Sequence, residues 1–169
     1  KILMICVFIP IFAIGFGYAL TMEKSYTSQS RLYVKADDRH ISQQRVGVNN
    51  PNSTQTLAQE QVVQAELEFL RSPVVAERVL RELSLEYVYP DLAKERDEAL
   101  AANVMGNNQG IIDEFFEKGV VSLQEKFDTG TTPKNPVIGT AFTHKQPVIA
   151  SEVMNGLIDA YLDYRGELF

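Results

Sequence analysis

The run VVSLQEKFDTGTTPKNPVIGTAFTHKQPVIASEVMNGLIDAYLDYR, Val120 to Arg165, decides the fold class. Val121, Leu123, Glu125 and Phe127 alternate with Val120, Ser122, Gln124 and Lys126. That period of two predicts a strand with one mostly apolar face. Asp128 to Asn135 holds a Gly, a Pro and three Thr and reads as a turn region. Val137 to Thr143 is the returning strand, so the two strands form a β-hairpin with a long loop. The period then changes to that of a helix. Pro147 opens it; Ile149, Val153, Leu157, Ala160 and Tyr164 line one side, and Ala150, Met154 and Tyr161 widen the stripe.

Upstream of this run the signals are mainly helical. Asn103 to Gly110 is a loop by composition, and Ile111 to Lys118 a short helix stopped by Gly119. Tyr89-Pro90-Asp91 reads as a turn, with Asp91 capping a helix that runs to about Ala102. Ser72-Pro73 predicts a cap and a first-turn proline, with Val75, Val79 and Leu83 at helical spacing and an end near Ser84. Thr56 and Gln59 form a capping box. After it Ala58, Val62, Ala65 and Phe69 share one helix face, with Val63, Leu67 and Leu70 beside it. Lys35 to Gln55 has few apolar residues and no sustained period, and is expected to be a mobile loop. Tyr26 to Val34 is a strand, with Ser28, Ser30, Leu32 and Val34 on one face and Thr27, Gln29, Arg31 and Tyr33 on the other. The order strand, helices, hairpin, long C-terminal helix is that of an α+β domain with a small sheet.

At the N-terminus, Ile2 to Met22 contains no charge. As a helix it would be about 31 Å long, the thickness of a bilayer's hydrocarbon core. The expectation is a transmembrane helix with its flanks over 1–24 and an α+β domain over 25–169. A cleaved signal peptide is the competing reading, since Gly17 and Ala19 have small-x-small spacing, but the apolar run is too long for it. Ala13 with Gly17, and Gly15 with Ala19, have the spacing that lets membrane helices approach closely. Lys1 places the N-terminus in the cytoplasm and the domain outside.

Composition excludes several classes. The formal net charge is −6 and no run of Lys or Arg occurs, which argues against a nucleic-acid surface. The single cysteine, Cys6, lies in the apolar run. His40 falls in the polar loop and His144 ends a strand, where a surface position is expected; neither has metal-ligand spacing to another His or carboxylate. Asp113, Glu114 and Glu117 read as a solvated acidic face. Gly106 and Gly110 lack the strand and Lys of a phosphate loop, and no GxSxG is present. Tyr33, Tyr87 and Tyr89 are as consistent with core or surface as with sugar stacking. No catalytic residue, cofactor or metal ligand is assigned, so the domain is expected to bind or assemble.

Three stretches together resemble the polysaccharide co-polymerases, or chain length determinant (Wzz-like) proteins, and in particular the branch found in exopolysaccharide export. The first is Tyr26-Thr27-Ser28 with Leu32-Tyr33-Val34 directly after a membrane helix. The second is Glu66 to Val79, with Leu70, Ser72 and Pro73. The third is Asn135-Pro136-Val137-Ile138, then Phe142, Pro147, Ala150, Val153, Asn155, Leu157, Ile158, Tyr161 and Arg165. Two positions depart from the family pattern: Gln146 stands where an acidic residue is common, and Gly139 where a β-branched one is. The resemblance implies a non-enzymatic inner-membrane protein with its domain in the periplasm. It would form a homo-oligomeric ring and control the length or export of a polysaccharide, with a membrane polymerase, an outer-membrane export protein and the nascent polymer as partners. It also implies a coiled coil and a second membrane helix beyond Phe169, and in some members a cytoplasmic tyrosine kinase. An extracytoplasmic ligand-sensing domain of a receptor, or a periplasmic accessory domain of a transporter, would share the same outline.

Overall fold

The computed structural model describes residues 24–34, 51–103, 106–131 and 135–168, together with Phe12 and Phe16. Three strands and six helices follow in the order β1 (Tyr26–Tyr33), α1 (Pro51–Leu70), α2 (Pro73–Leu83), α3 (Leu85–Val88), α4 (Pro90–Ala102), α5 (Asn108–Lys126), β2 (Phe127–Thr131), β3 (Val137–His144) and α6 (Pro147–Leu168). The strands form one antiparallel sheet in the order β1-β3-β2. β3 is central, pairing Leu32 with Ile138 and Ser28 with Phe142 on one side, and Phe127 with Phe142 on the other. Beyond the ladder the Val34 amide donates to the Pro136 carbonyl at 2.8 Å.

The α+β class is as expected, and β3 and α6 fall where the sequence places them. Alternation along β3 sends Ile138, Thr140, Phe142 and His144 inward. The apolar stripe of α6 buries Ile149, Ala150, Val153, Met154, Leu157, Ala160 and Tyr161 against that face and against α2. Val75, Ala76, Val79 and Leu80 of α2, with Leu123 of α5, fill the space between. The Ser72 hydroxyl accepts from the Val74 amide at 3.3 Å and Pro73 takes the first turn, as read from the sequence.

Several expectations are corrected. Val120 to Lys126 is helix, not strand, and α5 runs through Gly119 without a stop. Phe115, Gly119, Val120 and Leu123 bury one helical face, while Val121 is half exposed. Gly119 is there for close approach. A Cβ at that position would lie 2.6 Å from Leu85 Cδ1 and 2.8 Å from Leu80 Cδ2. The hairpin survives, with its first strand moved to Phe127–Thr131. Tyr89 rather than Asp91 precedes α4; Pro90 occupies the first turn, and Asp91 lies inside it. Residues 51–55 are helical, so Thr56 sits within α1 and is not its cap. The buried face of α1 is Val63, Glu66, Leu67 and Leu70, and Ala65 is exposed.

The expected membrane helix, with Ala13, Gly15, Gly17 and Ala19, lies outside the described residues apart from Phe12, Phe16 and Lys24. Phe12 and Phe16 are helical, and their rings stack at 6.1 Å. Among the described residues no helix is long and apolar enough to cross a membrane. Residues 35–50 of the expected loop, including His40, are also outside them.

Candidate functional site

The most developed polar arrangement in the interior joins α1 to α6. Glu66 is 5% exposed, among the apolar residues of α1. A carboxylate in such a place is stable only when its oxygens are paired. Arg165 Nε lies 2.9 Å from Glu66 Oε1, and the Tyr161 hydroxyl donates to Oε2 at 2.6 Å. Tyr161 and Arg165 are four apart, so they stand on one face of α6 and meet the carboxylate together. Burial, with the Glu66 carboxylate next, holds the Tyr161 phenol well above its ordinary value of 10.0.

A second fastening joins α2 to the end of α6. Arg78 donates to both Glu167 oxygens, the longer contact being 2.9 Å, and lies over the Tyr164 ring. Both groups are exposed enough for solvent to weaken the pair. A third ties the α1–α2 corner to β2. Arg71 Nε donates to Thr129 Oγ1 at 2.6 Å and its Nη2 to the Thr129 carbonyl at 2.9 Å. Gln124 returns a bond to the Arg71 carbonyl at 3.0 Å. These groups frame a cavity of about 430 Å³ lined by Leu70, Ala76, Val121, Phe127 and Leu157.

His144 corrects a further expectation, since it is buried. Its Nδ1 accepts from the Gln146 amide at 3.1 Å, so Nε2 carries the proton and donates to the Val88 carbonyl at 3.0 Å. It fastens the end of β3 to α3 and has no free nitrogen for chemistry. Asp113, Glu114 and Glu117 are exposed as expected, with Gln109 donating to Asp113 and Lys118 paired to Glu114. Tyr33 and Tyr87 are exposed, whereas Tyr89 is core. Among the described residues no group of three or more His, Cys, Asp or Glu comes together to hold a metal ion.

Residues 1–83 match the family model described as Wzz, chain length determinant protein. This part of the chain belongs to the chain length determinant family. No curated protein and no solved structure matches the chain.

The Wzz-like match ends at Leu83, the last residue of α2. It contains Tyr26, Ser72 and Pro73; the third stretch of the resemblance, from Asn135 to Arg165, lies outside it. The fold nevertheless brings the two parts together. Val137, Ile138 and Phe142 pair with or pack behind the Wzz-like β1, and Tyr161 and Arg165 close on Glu66. Pro147 begins α6, while Asn135 and Asn155 are exposed. Glu66 was the residue missed in the sequence. Its signal was a lone carboxylate at helical spacing with Val63 and Leu70.

Proposed function

We propose that this chain is a non-catalytic membrane scaffold that sets the chain length of a bacterial extracellular polysaccharide, or assists its export. The match of residues 1–83 to the chain length determinant family carries this reading. The resemblance over Asn135 to Arg165 supports it independently, because those residues complete the core on which the matched part rests. In this reading residues 1–24 anchor the chain in the inner membrane and the α+β domain stands in the periplasm. Copies assemble side by side into a ring beside the polymerase and an outer-membrane export protein. The scaffold acts by position and holds no active site of its own. Deleting the gene is expected to change the length distribution or the yield of the polymer on a gel, and the intact chain restores it. An unchanged polymer in the deletion strain rejects the proposal.

A further inference from the structure

Resting on that reading, the geometry points to the uncovered face of the sheet as a groove that binds a segment of the polysaccharide itself. The other face of the sheet is closed by helices. On the open face the rows across β1, β3 and β2 are Gln29–Ala141–Asp128 and Arg31–Gly139–Gly130, with Tyr33–Val137 at one end and Thr27–Thr143 at the other. Gln29, Ser30, Arg31, Asp128, Gly130, Gly139, Thr140 and Ala141 enclose an open groove of about 510 Å³. Its outer strands stand roughly 9–10 Å apart, twice the spacing of neighbouring strands.

The floor of this groove has no explanation in the fold. Glycine weakens a strand interior, and where neither a bulge nor a bend requires it, it marks a close approach by something else. A Cβ at Gly139 would lie 3.7 Å from the Gly130 carbonyl, an ordinary contact, and one at Gly130 would meet nothing within 4 Å. Packing therefore demands neither glycine, yet they stand side by side in one row. The walls carry the matching chemistry. Gln29, Arg31 and Asp128 are exposed and make no side-chain hydrogen bond or ion pair with any described residue. Amide, guanidinium and carboxylate are planar groups offering paired donors or acceptors. Adjacent hydroxyls of a sugar ring present the complementary pairs. Tyr33, 71% exposed on the same face, offers a ring on which the C–H face of a sugar can lie.

Other occupants fit less well. A peptide strand would add at a sheet edge, where backbone groups are free, and not across a face. A second copy packed face to face needs interdigitating apolar side chains, and this face offers only Val137 and Tyr33 as large ones. Asp128 in the wall disfavours a polyphosphate backbone.

The test uses the full chain in detergent micelles, isotope-labelled and titrated with oligosaccharides of about six sugars released by mild acid from the producing cells' own polymer. Amide shifts at Gly130, Gly139, Ala141 and Tyr33 are expected. Gly139→Val, which fills the floor, and the exposed double change Gln29→Ala with Arg31→Ala should each weaken binding by about tenfold or more, with the melting temperature held. No shifts, shifts confined to the helices, or undiminished binding by the double variant would overturn the groove. So would a double variant whose only effect is a change in oligomer mass, since a second copy would then be the occupant. The two readings fail separately. If deletion of the gene alters the polymer but the double variant restores it fully, the groove falls and the scaffold stands.

Discussion

Tyr161 shows how one side chain can serve the fold in opposite ways at different pH. Its hydroxyl satisfies an oxygen of buried Glu66 at 2.6 Å. Tyr161→Phe keeps the ring and the packing but leaves that oxygen with one partner fewer, at a cost of about 1–3 kcal/mol. The same phenol is held in its neutral form, because burial and the adjacent carboxylate raise its pKa above 10.0. A group whose folded pKa is raised contributes stability in full below its unfolded pKa and loses it as pH climbs toward the folded one. Wild-type stability should therefore be flat near neutrality and fall above pH 10. Tyr161→Phe should start lower at pH 7 and fall less. Tyr89, also raised by burial, keeps part of the alkaline decline in both proteins. Urea midpoints at pH 7, 9 and 10.5 decide this. Parallel declines in the two proteins would show that the phenol is not held neutral by its surroundings.

At the scale of elements, the glycines of the helices separate two roles that composition cannot. Gly119 faces Leu80 and Leu85 at distances no Cβ tolerates, so Gly119→Ala overpacks α2 against α5. Overpacking costs about 1–3 kcal/mol, more than the roughly 1 kcal/mol that alanine returns in helix propensity. Gly166 has nothing within 4 Å of a built Cβ, so Gly166→Ala should stabilise by up to about 1 kcal/mol. Gly156, 3.4 Å from Val79 Cγ1, should fall between them. Thermal melts of the three variants should rank Gly166→Ala above Gly156→Ala above Gly119→Ala; Gly119→Ala at or above wild type would refute the packing argument. Gly119 also explains what was legible in the sequence. The helices that open on Ser72-Pro73 and on Pro147, and the strands at Tyr26 and Val137, were readable because cap, proline and period agree. α5 was misread because its glycine resembled a stop. Without it, Phe115, Val120 and Leu123 would have revealed a helical face; in its place Val121, Leu123 and Phe127 mimicked a strand. Glu66 and His144 were illegible for a different reason. Their partners lie 95 and 99 residues away for Glu66 and 56 away for His144, and only the fold brings them close.

Across the whole molecule, the family match and the folding unit do not coincide. The matched residues 1–83 contain β1, α1 and α2 but no partner for β1. All eight residues of β1 pair with β3, from Tyr26 with His144 to Tyr33 with Val137. The buried faces of α1 and α2 likewise close on α6, through Glu66 to Tyr161 and through Val79 beside Gly156. A chain cut at Leu83 would leave β1 with no ladder and Glu66 with neither of its partners. A lone strand and two short helices bury too little apolar surface to offset the entropy of ordering them. Residues 1–83 in detergent should therefore show fast amide exchange from Tyr26 to Tyr33 and no cooperative melt. The 1–169 chain should protect those amides. Mixing 1–83 with a separate 84–169 chain should recover part of the protection, because β3 and α6 supply the missing surfaces without a covalent link. Slow exchange across β1 in 1–83 alone would mean that the matched residues form a domain by themselves. The second half would then be an addition to that domain rather than the rest of its core.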